Sequence, residues 1–173
     1  MVTVTSCEPP SSALLLSQRA AGAFTDCYSV QLDAKVTHAE FVGAFYTTRL
    51  FKLERLLLAL LARKPSSDQQ ASELAAGTRD EFAVWRVEHR LTDQLLLADQ
   101  TGRTRSWLMV EPQQSAGSSA ATRLYFGSAL VPRVDRRTGQ RSFGPLFAPL
   151  LGLHKLYSKA LLRAAASGLA RSM

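Results

Sequence analysis

The 173-residue chain predicts a single α+β domain, with one antiparallel sheet set between helices. Three observations carry this. Thr37-His38-Ala39-Glu40 forms a capping box that opens a leucine-rich helical stretch. Between Asp80 and Val131, β-rich runs follow one another across connections too short for anything but antiparallel neighbours. The C-terminal segment from Pro149 to Ala170 reads as one amphipathic helix, about 33 Å long at ~1.5 Å per residue. A domain of this size buries roughly 70% of its unfolded surface, so one ordinary core is expected.

Residues 1–25 read as an N-terminal extension, with a Pro9-Pro10-Ser11-Ser12 loop and a short apolar stretch before Gly22. Asp26–Leu32 alternates and is β-rich, which makes it the first strand. The helical pattern after Thr37 extends to about Lys64, with Leu50, Leu53, Leu57 and Leu60 on one face. Thr47-Thr48 predicts a break within it. Pro65-Ser66-Ser67-Asp68 ends the stretch and caps a further short helix, closed by Gly77. Residues 81–91, 94–99, 103–111 and 122–131 are strand candidates, forming a four-stranded meander with the 113–119 loop before its last member. Residues 132–142 are a basic polar turn. The final helix then starts with Pro145 or Pro149 in its first turn and carries an expected apolar stripe of Leu150, Leu153, Tyr157, Leu161, Ala164 and Gly168.

The net charge of +7 resides entirely in residues 132–173, where eight basic side chains face one acid, Asp135. Lys155, Lys159, Arg163 and Arg171 form a ridge on the last helix, and Arg133, Arg136, Arg137 and Arg141 lie in the preceding loop. A nucleic-acid role has only the basic pI behind it, without aromatic interleaving, helix-turn-helix or zinc-finger spacing. A solvated ridge is the simpler expectation, with contact at a membrane surface as the remaining use of the charge. The longest apolar run, Leu56 to Ala62, is far below the ~20 residues of a bilayer span. Glu8 stands where a secretory leader would be basic, so a cytoplasmic protein with free thiols at Cys7 and Cys27 is expected. His38, His89 and His154 have no metal-ligand spacing, no Gly-rich phosphate loop occurs, and no GxSxG elbow occurs; no cofactor is expected.

Several stretches carry a resemblance: Asp26-Cys27-Tyr28, the run 82–88 (FAVWRVE), the run 105–111 (RSWLMVE), and the run 143–147 (FGPLF) leading into 153–157 (LHKLY). With the element order, they make the chain resemble the START-like, or SRPBCC, helix-grip superfamily of lipid-transfer and polyketide-cyclase folds, and within it a bacterial domain family of unknown function. The resemblance covers residues 10–170. It implies a curved sheet wrapped around the C-terminal helix and a cavity between them for an apolar or amphipathic small molecule. It supplies no reaction.

On that reading the expected ligand-binding residues are Trp85, Trp107, Tyr125, His154 and Tyr157. His154 and Tyr157 stand one helical turn apart, where an imidazole and a phenol can donate hydrogen bonds or move a proton. A cavity carboxylate, with Glu88 and Glu111 as the candidates, would have its pKa raised by burial and serve as acid or base in a cyclase, dehydratase or hydrolase. Strand alternation places Trp85, Val87 and His89 on one face and Phe82, Val84, Arg86 and Glu88 on the other. It likewise sets Leu108 and Val110 against Trp107, Met109 and Glu111. Which face meets the cavity is not fixed by the pattern. The three functions open at this point are a small-molecule binding protein, an enzyme of the kinds named, and a peripheral membrane or interaction module.

Overall fold

The computed structural model describes residues 2–61, 63–113, 120–135, 137–144 and 147–172. The elements are β1 (Thr5–Ser6), α1 (Leu15–Ala20), β2 (Phe24–Leu32), α2 (His38–Tyr46), α3 (Arg49–Leu61), α4 (Asp68–Ala76), β3 (Glu81–Phe82), β4 (Trp85–Arg90), β5 (Gln94–Asp99), β6 (Thr104–Gln113), β7 (Ala121–Leu130), β8 (Arg133–Val134), β9 (Arg141–Ser142) and α5 (Phe147–Ser172). Seven strands form one antiparallel sheet in the order β1-β2-β7-β6-β5-β4-β3. The meander is therefore as expected, and the first long strand closes onto its last member. Pro145, Arg136 and the 114–119 loop lie outside the described residues.

The local signals act as chemistry requires. Thr37 Oγ1 accepts from the Glu40 amide at 3.2 Å while the Glu40 carboxylate accepts from the Thr37 amide at 2.7 Å. Ser67 and Gln70 repeat the box at α4, and Gly77 ends that helix at φ +79°, a conformation open chiefly to glycine. The break after α2 is built by its two threonines. Thr47 Oγ1 donates to the Gly43 carbonyl, and Thr48 Oγ1 accepts from the Phe51 amide to start α3.

Each face of the sheet has its own apolar layer. On one face Tyr28, Val30, Leu95, Leu97, Leu108, Val110, Leu124 and Phe126 pack against α2, α4 and α5. The other face buries Cys27, Leu96, Trp107, Met109 and Tyr125 beneath Ala13 and Leu15 of the N-terminal segment. Residues 2–25 are thus part of the packing, through β1 and α1. Gly127 lies where Leu15 and Trp107 cross the sheet: a Cβ there would stand 2.7 Å from Leu15 Cδ2 and 2.8 Å from the Asp26 carbonyl oxygen.

Two sequence expectations are corrected, the strand alternation and the stripe of α5, and the leucine face of α3 is placed. Phe82 and Trp85 lie on the same, helix-covered face because Ala83 turns the chain with φ +54°, and His89 is exposed because a bulge between Val87 and His89 reverses the alternation. The leucine face of α3 points outward: Leu53, Leu56, Leu57 and Leu60 are all at least half exposed, while Phe51 and Arg55 face the protein. On α5 the buried stripe is Ser158, Leu161, Leu162, Ala165, Ala166 and Leu169, rotated from the expected one. Small residues there let the second half of the helix lie close to the sheet, and the first half leaves Leu150, Leu153 and Leu156 in solvent.

A candidate ligand cavity between the sheet and the last helix

A cavity of two lobes opens between α5 and the helix-covered face. The outer lobe, about 310 Å³, is lined by Phe24, Leu130, Phe143, Leu150, Leu151 and Arg103, among others. The inner lobe, about 150 Å³, is lined by Phe45, Phe51, Trp85, Phe126 and Leu161 with Glu54, Tyr157 and Ser158. Thr104, Ser128 and His154 line both. Strand alternation explains the placement, since Asp26 shares its face of β2 with Tyr28, and Ser128 shares its face of β7 with Phe126.

His154 is held by the sheet. Ser128 donates its hydroxyl hydrogen to Asp26 Oδ1 at 2.6 Å, and the Ser128 amide donates to the same oxygen at 3.1 Å. Tyr28 donates to Asp26 Oδ2 at 3.1 Å. With the serine hydrogen so used, the 2.8 Å contact between Ser128 Oγ and His154 Nε2 requires the imidazole to donate. That Nε2 hydrogen also faces Asp26 Oδ2 at 3.2 Å. Nδ1 is then the ring nitrogen without a protein partner among the described residues. This is not a nucleophile relay, because Ser128 gives its proton to the carboxylate and serine and carboxylate meet the same ring nitrogen. Burial pushes the Asp26 carboxyl upward, but hydrogen bonds from His154, Ser128 and Tyr28 outweigh it and hold the group below the ordinary carboxylate value.

Across the inner lobe the opposite holds. Burial raises the Glu54 carboxyl above its usual value, against the hydrogen bond that the Tyr157 hydroxyl donates to it. Ser106 and Tyr46 bond each other at 3.0 Å in the floor. Four buried side-chain polar atoms among the described residues have no hydrogen-bond partner: His38 Nε2, Trp85 Nε1, Arg103 Nε and Ser158 Oγ. The last three belong to residues that line this cavity. Buried polar groups in folded proteins are nearly always paired, and three of these four exceptions border this cavity. Two of the three, Trp85 Nε1 and Arg103 Nε, are obligate donors.

Of the five residues expected to line a cavity, Trp85, His154 and Tyr157 come together here. Trp107 and Tyr125 do not: they lie on the opposite face, their rings 6.2 Å apart, beneath the N-terminal segment. The odd-numbered positions of β6 face that side. Glu111 shares it and accepts from Tyr125, while Glu88 forms a two-point pair with Arg105, both contacts 3.0 Å. The carboxylate that lines the cavity is instead Glu54, and Asp26 stands behind the lining, bonded to Ser128 and His154. Asp26 had a visible signal, an acid inside a β-rich run in phase with Tyr28, Val30 and Leu32. Glu54 had none, as one acid in a leucine-rich helix.

Compared with protein-family models and with curated proteins, the chain matches none. Among the described residues no group of three or more His, Cys, Asp or Glu is placed to hold a metal, and no helix is long and apolar enough to cross a membrane.

Proposed function

We propose that this protein binds an apolar or amphipathic small molecule carrying an oxygen acceptor, in the cavity between the sheet and α5. The observation that carries the proposal is that Trp85 Nε1, Arg103 Nε and Ser158 Oγ are unpartnered at a cavity whose wall combines apolar side chains with Glu54, Thr104, Ser128 and His154. An acyl carboxylate fits this chemistry: its chain is bound by apolar burial at about 25 cal/mol per Å², and its oxygens accept from the orphaned donors. A long C-terminal helix laid across an antiparallel sheet is also the helix-grip arrangement that the sequence resemblance implies, and START-like kinship is part of the proposal.

The test is native mass spectrometry after incubation with dodecanoate. A 1:1 adduct is expected for the wild type, and Ser158→Leu, which fills the inner lobe from a fully buried helix position, should weaken it at least about tenfold, roughly 1.4 kcal/mol. Bare protein in both samples, or equal adducts in two folded proteins, overturns the assignment.

One observation favours a second reading, acid–base catalysis on the bound molecule. Asp26, bonded to His154, and Glu54, which lines the inner lobe with His154, have their pKa values driven in opposite directions. That separation is what a paired base and acid require.

A further inference from the structure

We propose that Cys7 and Cys27 are a modification site that closes to a disulfide under hydroperoxide. The β1–β2 register, Thr5 opposite Ser29 and Ser6 opposite Tyr28, brings Cys7 opposite Cys27, and the Cys7 amide donates to the Cys27 carbonyl at 3.0 Å. Their sulfurs are 3.4 Å apart as free thiols. Bond formation needs about 1.4 Å of further approach to reach ~2.05 Å, within reach of side-chain rotation at a short, exposed edge strand. The roles divide by access. Cys7 is partly exposed and Cys27 is buried. The hydrogen bond from Cys27 lowers the Cys7 thiol to about 7, so much of it is thiolate at neutral pH, while the same contact and burial raise Cys27.

The Cys7 thiolate attacks one peroxide oxygen, breaking the O–O bond and leaving a sulfenic acid and hydroxide, which takes up a proton to become water. The Cys27 sulfur then displaces the sulfenic oxygen, which leaves as a second water, keeping its own hydrogen and taking the Cys27 proton. Two thiols are oxidised by two electrons in all, and one peroxide is reduced to two waters. The bond would staple β1 over the outer edge of β2, one residue from Asp26.

The experiment is treatment of the full chain with a slight excess of hydrogen peroxide, followed by peptide mapping and amide exchange. Expected are one cross-linked Cys7–Cys27 peptide lighter by about 2 Da than the two thiol peptides, and slower exchange over residues 3–7. Cys27→Ser should instead trap Cys7 as a sulfenic acid that reacts with dimedone. Two intact thiols, or separate over-oxidation of each cysteine in the wild type, overturns the proposal.

A different observation concerns the outer surface. From the leucines of α3 and the first half of α5 we infer a docking surface for an anionic lipid bilayer. Leu60 is 69% exposed, Leu153 64% and Leu156 68%, with Leu53, Leu56, Leu57 and Leu150 also half exposed or more. Glu54, the sole acid of α3, is turned inward to Tyr157, and α5 contains no acid. The one exposed acid beside α3 among the described residues, Asp68, is paired with Lys52 and Arg55, which leaves exposed cations at Arg63 and Lys64 beyond α3 and at Lys155 and Arg163 on α5. A second copy of a +7 chain would bring like charge against this surface, whereas an anionic bilayer accepts leucines and cations in one plane. Leu150 lines the outer lobe, so the surface adjoins the cavity.

Vesicle flotation tests this with phosphatidylcholine alone and with one-third phosphatidylglycerol. Binding to the anionic vesicles only, weakened by salt and reduced at least about tenfold in folded Leu153→Ser/Leu156→Ser, is the expected result. Three outcomes overturn it: no flotation, flotation indifferent to the leucine changes, or a wild-type dimer in solution that the same changes dissolve.

Discussion

Asp26→Ala is expected to destabilise the protein by about 3–5 kcal/mol, the cost of breaking a buried charge-assisted cluster by removing one member. The substitution strands the Ser128 amide and hydroxyl and the Tyr28 hydroxyl in a buried site and releases His154. Thermal unfolding should show a fall in Tm of about 10 °C. Asp26→Asn keeps an oxygen for Ser128 and should lose less than half as much. The pH dependence has a definite sign. The folded pKa of Asp26 lies below its ordinary 3.8, so its contribution is complete above that value and is lost as pH falls through the folded pKa. The deficit of Asp26→Ala should therefore shrink in acid below about pH 4. A constant deficit across that range would mean the carboxylate's charge contributes nothing.

Trp107→Ala should cost a comparable ~3–5 kcal/mol in denaturant unfolding, through loss of a fully buried indole and the void it leaves. Its effect reaches the N-terminus. Trp107 Nε1 donates to Gln94 Oε1 at 2.9 Å, and Gln94 in turn accepts from the Leu14 amide and donates to the Ser12 carbonyl. Limited proteolysis near residues 9–14 should accelerate in the variant. Ligand affinity per folded molecule should hold, because the indole lies across the sheet from the cavity. A specific loss of affinity without loss of stability would return Trp107 to the binding site.

The order of the main elements, the Thr37 capping box, the threonine break and the meander were legible because each is set by residues close in sequence. Face assignments were not. A positive φ at Ala83 and a bulge after Val87 change the phase of two short strands, and neither leaves a mark in apolar periodicity. The leucines of α3 and α5 follow a core pattern yet lie outside, since a pattern states that a face is apolar and not what covers it. The candidate site was half visible. His154, Tyr157 and Trp85 sit in recognisable elements, but pairing His154 with Asp26 requires knowing that β2 closes on β7, a contact across 102 residues between Asp26 and Ser128.

The central claim, a ligand cavity on one face of the sheet only, is tested most directly by the two tryptophans. Trp85 lines the inner lobe and Trp107 packs on the far side. Fluorescence is to be recorded with a bromine-labelled acyl carboxylate in Trp107→Phe, where only Trp85 emits, and in Trp85→Phe, where only Trp107 does. Saturable quenching of Trp85 with Trp107 left bright is the result predicted. Equal quenching of both, or of neither, contradicts a ligand site between the sheet and α5.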